Sequence, residues 1–300
     1  MDMKVNIAGV EWKNPVTVAS GTFGSGEEFS EFVDLNRLGA VTTKGVANVS
    51  WPGNPTPRVA EVYGGMMNAI GLQNPGIDLF CKRDIPFLKK YDTKIIVNVC
   101  GHAPEEYLAV VERLADEPID MMEINISCPN VNAGFLAFGQ DAKHVEELTA
   151  QIKKIAKQPI IMKLTPNVTD ITEIAKAAET GGADALSLIN TLTGMKIDIN
   201  RRTFAVANKT GGVSGPVVHP IAVRMVYQTA QAVNIPIIGM GGIATPEDAI
   251  EMILAGASAV SVGTANFYNP NATIEIIDGI EAYMKKNGFE SVKDMVGIVK

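Results

Sequence analysis

The chain is poor in the residues that build covalent or metal frameworks. Three cysteines (Cys81, Cys100, Cys128) and three histidines (His102, His144, His219) are scattered through 300 residues with no ligand spacing between them. That excludes a disulfide scaffold and a zinc site, and it predicts no metal centre. Cysteine usage of this kind fits a reducing, cytoplasmic setting. No apolar run approaches the roughly 18 to 20 residues that span a bilayer, and the N-terminus lacks a basic-then-apolar signal pattern. Net positive charge is also missing. The formal charge of −7 disfavours nucleic acid or an anionic membrane as the main partner, while leaving room for a local basic pocket.

What is present is an alternation of two patterns. Residues 4–13 alternate weakly around Ala8-Gly9 and read as a β-hairpin. Eight short apolar runs follow: Val16–Ala19, Ala40–Lys44, Lys94–Val99, Met121–Asn125, Pro159–Leu164, Ala185–Ile189, Pro236–Met240 and Ala259–Val262. Between them lie segments of helical spacing, such as Tyr107, Val110, Val111 and Leu114, or Val145, Leu148, Ile152 and Ile155. Thr245-Pro246-Glu-Asp marks a helix start with proline at the first helical position. Strand alternating with helix predicts a parallel sheet, and eight such units predict one closed (β/α)8 barrel domain over residues 1–300. An open doubly wound sheet is the alternative. Connections 45–75 and 190–218 are too long for turns and follow the second and sixth strands, so they are expected over the active-site face as lids or substrate walls. The segment after the fourth strand is a third long loop of this kind.

The strand ends carry the chemistry. They present Ser20, Lys44, Asn98, Asn125, Lys163 and Asn190 for the first six strands, and in a barrel these would ring one mouth. A single asparagine there is a turn former and a single lysine is solvated; six polar ends together point to a ligand. The last two strands end in Gly241-Gly242 and Gly263-Thr264, where the backbone can approach a phosphate closely. Gly211-Gly-Val-Ser-Gly215 is another glycine-rich approach, or a flexible loop. In Asn125-Ile-Ser-Cys-Pro-Asn130 the strand runs out at Pro129, which sets the Cys128 thiol on the first turn. That thiol could serve as nucleophile or base, and with no adjacent histidine to activate it, slow proton abstraction suits it better. Cys81 and Cys100 read as small buried hydrophobes, and Glu123 as a buried carboxylate paired with a barrel lysine.

These motifs together resemble the dihydroorotate dehydrogenase family, flavin enzymes of pyrimidine biosynthesis. The resemblance rests on Ala19-Ser-Gly-Thr-Phe-Gly24, Thr43-Lys-Gly45, Asn68-Ala-Ile-Gly-Leu-Gln-Asn-Pro-Gly76, Val97-Asn-Val99, Asn125-Ile-Ser-Cys-Pro-Asn130, Lys163-Leu-Thr-Pro166, Ile189-Asn-Thr191, Gly211-Gly-Val-Ser-Gly215, Gly241-Gly-Ile243 and Val262-Gly-Thr264, in order through nearly the whole chain. It implies FMN at the mouth, with the phosphate on Gly241, Gly242, Gly263 and Thr264. Ser20, Lys44, Gly45, Asn98, Asn125, Lys163, Ile189 and Gly215 would hold the remainder. Lys44, the stretch Asn68, Ala69, Ile70, Gly71 and Leu72, and Asn125, Asn190 and Thr191 would bind dihydroorotate. Cys128 would be the catalytic base.

Cysteine rather than serine at that position points to the soluble class 1 branch. The stretches Asn68–Gly76 and Asn130 to Gly139 look like its NAD-linked class 1B catalytic subunit. That group pairs with a partner carrying FAD and [2Fe-2S], two chains of each in a heterotetramer. The chain itself has neither a cysteine cluster nor a GxGxxG fingerprint, so a second protein would supply the NAD site. A fumarate-linked homodimer is the alternative within the family. Outside it stand a barrel aldolase using Lys163 or Lys44 as a Schiff base and a phosphate-ligand binding protein without catalysis.

Overall fold

The computed structural model describes residues 1–127 and 138–299. Its frame is eight parallel strands: β1 Val16–Val18, β2 Ala40–Thr42, β3 Lys94–Val99, β4 Met121–Asn125, β5 Ile160–Lys163, β6 Ala185–Leu188, β7 Ile237–Met240 and β8 Ala259–Val262. They pair in the order β1-β8-β7-β6-β5-β4-β3-β2. The two end strands then meet. Gly39 N–H donates to Val16 O at 3.1 Å, and the hydroxyls of Thr17 and Thr42 lie 3.1 Å apart across the seam. The eight apolar runs of the sequence are thus the eight staves of a barrel. Their near-continuous burial is what strands covered on both faces require.

Helices α1 Ile77–Leu88, α2 Pro104–Leu114, α3 Ala142–Ile155, α4 Ile171–Thr180, α5 His219–Ala230, α6 Pro246–Leu254, α7 Ala265–Tyr268 and α8 Ala272–Asn287 surround it. The α2 face of Tyr107, Val110, Val111 and Leu114 is buried as its spacing predicts. Burial of each such side chain contributes about 1.5 to 3 kcal/mol before entropy is counted. The α6 start is a complete capping box between Thr245 and Asp248, with Pro246 in the first turn. Between β1 and β2 the chain makes only two short 3-10 turns, Glu28–Glu31 and Leu35–Arg37. The N-terminal hairpin pairs Val5–Ile7 with Val10–Trp12 through Ala8 and Gly9, both at positive φ, and buries Trp12 completely. No helix among the described residues is long and apolar enough to cross a membrane.

The two long connections do not form separate lids. Val59–Val62 and Gly65–Asn68 come from the first, and Leu192–Met195 and Thr210–Ser214 from the second. They interleave into one antiparallel four-stranded sheet, in which Gly212 stands opposite Asn68 and Gly211 opposite Gly194. The glycine-rich stretch of the second connection is therefore a central strand of this sheet, not a flexible loop.

Candidate active site

A closed ionic network lies inside the barrel below the mouth. Glu123 on β4 and Lys163 on β5 approach to 3.5 Å, with side chains 3% and 4% exposed. The carboxylate also accepts from Asn98 Nδ2 at 2.5 Å and from Ser187 Oγ at 2.7 Å. A charge so far from water is tolerated only when paired and hydrogen-bonded, and Glu123 is both. The expected pairing of Glu123 with a barrel lysine is the one observed. The register explains it: β4 and β5 are parallel neighbours, with Asn125 opposite Lys163 and Glu123 opposite Ile161.

One layer higher, amides take over from charges. Asn125 Oδ1 accepts from Ser127 Oγ at 2.6 Å and from Ser127 N–H at 3.3 Å, and Asn190 Nδ2 donates to the same Ser127 hydroxyl. Asn190 Oδ1 accepts from Thr191 N–H at 2.7 Å, and Asn167 Nδ2 donates to Thr191 O at 3.1 Å. Ser127 and Asn167 thus fix the two strand-end asparagines and Thr191 in place. Neither was singled out from the sequence. The only signal for Ser127 was its place inside the Asn125–Asn130 motif.

Above this layer opens a cavity of about 1180 Å³, larger than most single-ligand pockets. Ser20, Lys44, Asn125, Lys163, Ile189, Asn190 and Thr191 border it from the barrel side. Asn68, Ala69, Ile70, Gly71 and Leu72 border it from the wall sheet and the segment after it. Lys44 lies over Gly21, its Nζ 3.3 Å from where a Cβ on that glycine would stand. The wall itself is fitted closely, since a Cβ on Gly212 would fall 1.9 Å from Thr191 Oγ1.

Glycine and hydroxyl groups form the other end. Gly215, Gly241, Gly242, Gly263 and Thr264 all border the cavity. Gly215, Gly241 and Gly242 have φ of 101°, 125° and 72°, a region glycine enters without strain. Thr264 Oγ1 donates to Ser214 Oγ at 2.8 Å. Ser261 also borders the cavity and is buried, and its hydroxyl has no hydrogen-bond partner among the described residues.

Two of the expected residues lie beneath the cavity lining. Asn98 is completely buried and spends its amide on Glu123, and Gly45 packs against Asn98 and Cys100; neither borders the cavity. Asn98 stands opposite Glu123 in the β3–β4 register, and its Oδ1 accepts from Asn125 Nδ2 at 3.5 Å. Cys128, the expected base, lies outside the described residues, as do Asn130 and Gly134. Burial, then the nearby Glu117 carboxylate, pushes the Cys81 thiol up to about 11, and Cys100 is fully buried, so both behave as packing residues. Among the described residues no group of His, Cys, Asp and Glu could hold a metal ion.

The sequence model of the family described as dihydroorotate dehydrogenase matches residues 2–284. The chain is 68% identical over 300 residues to a protein of Lachnoclostridium phytofermentans, with both chains covered in full. It is 63% identical over 297 residues to one of Alkaliphilus metalliredigens, covering 99% of this chain and 98% of the relative. With one of Caldicellulosiruptor bescii the identity is 52% over 299 residues, covering 100% and 99%. All three are named dihydroorotate dehydrogenase B (NAD(+)), catalytic subunit. Matched by the family's sequence model along almost its entire length, and by a relative 68% identical in full, this barrel belongs to the dihydroorotate dehydrogenase family.

Proposed function

We propose that this chain oxidises (S)-dihydroorotate to orotate in de novo pyrimidine biosynthesis, as the FMN-binding catalytic subunit of an NAD+-linked enzyme. The observation that carries the reading is the gathering of Lys44, Lys163, Asn68, Asn125 and Asn190 around one cavity. A carboxylate calls for an ammonium group, and a ring of alternating C=O and N–H calls for amides that both donate and accept. Lys44 would hold the substrate carboxylate. Asn68, Asn125, Asn190 and Thr191 would hold the ring, with the backbone of Ala69, Ile70, Gly71 and Leu72 closing over it.

The residues present fit FMN. Gly215, Gly241, Gly242 and Gly263 present bare backbone to the cavity, where a phosphate can approach N–H groups closely, and the buried Ser261 hydroxyl beside them has no partner among the described residues. Ser20, Lys163, Ile189 and Gly215 would hold the flavin, and Gly241, Gly242, Gly263 and Thr264 its phosphate. Asn98 and Gly45 would also help to hold the ribityl chain and ring. When bound, FMN supplies the acceptor for the hydride that leaves C6. Cys128 would take the proton from C5, so that C5–H and C6–H are lost and the ring double bond forms. The thiol's neighbour supports this role, since Ser127 is held between Asn125 and Asn190. Lys163 lies at the floor of the site, where it would stabilise negative charge on the reduced cofactor.

The full-length likeness to NAD(+)-linked catalytic subunits supports an electron path through a second chain. That chain would carry FAD and [2Fe-2S], in a heterotetramer of two catalytic and two partner chains, in the cytoplasm. Residues 1–300 would form one FMN-binding barrel domain. The test is a steady-state assay with dihydroorotate against NAD+, fumarate and a quinone, on the purified chain and in native extract. The expected result is a yellow protein whose NAD+ reduction is weak alone and strong in extract. Fumarate turnover by the pure chain would move it to the homodimeric branch. Absence of flavin, with none regained on adding FMN, would overturn the reading altogether.

A further inference from the structure

His219 is the buried titratable residue that the chemistry above does not use. It opens α5, and its side chain is 9% exposed. Its Nδ1 lies 2.9 Å from Gly241 O, and its Nε2 lies 3.2 Å from Glu251 Oε2 and 3.8 Å from Asp248 Oδ1, both on α6. Its Cβ occupies the space beside Gly242: a Cβ built there would fall 2.7 Å from it, and 2.8 Å from Gly215 O.

We infer that His219 is a positioning residue for the phosphate of the bound flavin, an inference that rests on the FMN reading above. Gly241 O belongs to the same planar trans peptide as the Gly242 N–H, so the two point in opposite directions. Holding the carbonyl against the imidazole, away from the cavity, turns the Gly242 N–H toward it. Glycine at positive φ has no side chain to hold such a peptide, and it would flip at little cost without a partner. The far end of the same loop is pinned from the same cluster. Asp248 Oδ2 accepts from Ala244 N–H at 2.9 Å and from Thr245 N–H at 2.8 Å. The imidazole and the Asp248 carboxylate therefore clamp residues 241 to 245 at both ends. The ligand this serves is a phosphate monoester, which takes hydrogen bonds from backbone N–H groups at a fixed position. Ring stacking and the ribityl chain do not depend on it.

Riboflavin, which lacks the phosphate, separates this role from mere packing. Flavin-depleted enzyme is titrated with FMN and with riboflavin, following flavin fluorescence, for wild type and for His219→Leu, His219→Gln and His219→Asn. Asparagine places an amide N–H near the position of Nδ1, whereas glutamine reaches toward Nε2. His219→Leu and His219→Gln are expected to weaken FMN at least tenfold while changing riboflavin affinity less than twofold. His219→Asn is expected to recover most of the FMN preference. If leucine prevents folding, the asparagine and glutamine variants carry the same comparison. The inference is overturned if every variant keeps the wild-type ratio of FMN to riboflavin affinity, or loses both ligands equally. A wild-type protein with no preference for FMN over riboflavin would instead sink the phosphate reading of the loop.

Discussion

Lys163 Nζ stands 3.5 Å from Glu123 Oε2 with both side chains almost wholly excluded from water. Breaking a buried ion pair by neutralising one partner leaves the other charge uncompensated, a loss of about 3 to 5 kcal/mol. Glu123→Gln is therefore expected to lower unfolding free energy by roughly that amount, read as a fall in urea midpoint at unchanged slope. A change under about 1 kcal/mol would mean that Lys163 finds another counter-charge. Glu123→Gln together with Lys163→Met, which removes both charges, should recover much of the loss while forfeiting the cation at the floor of the site.

The fit between Gly212 and Thr191 gives a second expectation. A methyl at 212 would collide with the Thr191 hydroxyl, and Thr191 follows Asn190, which is proposed to hold the substrate ring. Gly212→Ala should raise KM for dihydroorotate several-fold while FMN remains bound, because the glycines at the anion end are untouched. Loss of flavin with unchanged KM would place the effect of the wall at the wrong end of the cavity.

Thiol chemistry supplies a third. Cys81 has its thiol pushed up to about 11 by burial, so it remains protonated and unreactive at pH 8. Iodoacetamide at that pH is expected to label Cys128 first and abolish flavin reduction by dihydroorotate, with FMN still bound. Cys128→Ala should do the same, and its full reduction rate would falsify the base assignment. In the wild type, reduction should rise with pH through the thiol range.

The same shift of Cys81 bears on stability. The folded chain keeps the Cys81 proton where the unfolded chain, with an ordinary thiol near 9.0, releases it. Its contribution is thus complete below about pH 9 and is lost as pH rises toward 11. Cys81→Ala should flatten the fall in thermal midpoint over that window, and an unchanged slope would remove Cys81 from the account.

The barrel was legible because each stave is a short apolar run that ends at a polar residue or a glycine, and because helix starts such as Thr245-Pro246 carry local signals. The Glu123–Lys163 pair was legible for the same reason: adjacent parallel strands leave a buried carboxylate few other partners. Depth was harder. Asn98 and Asn125 look alike at strand ends, yet Asn98 stands level with Glu123, two residues below Asn125 on β4. The wall sheet could not be read, since Gly65–Asn68 and Thr210–Ser214 alternate too weakly to announce strands and their partners are remote in sequence. His219, one of three scattered histidines, carries no signal of its partner in the sequence. Its link to Gly241 exists solely because α5 and β7 come together in three dimensions.

The interleaved wall sheet also sets an order of assembly. One of its central strands, Gly65–Asn68, is made early in synthesis, and the strand that pairs with it, Thr210–Ser214, far later. A nascent chain that has not yet released Ser214 has neither that pairing nor β7 and β8, whose following glycines border the cavity. Sheet pairings between such distant segments form late and slowly. Flavin capture is thus confined to the closing stage of folding. A partly made chain, lacking the cavity, has no means of sequestering the cofactor.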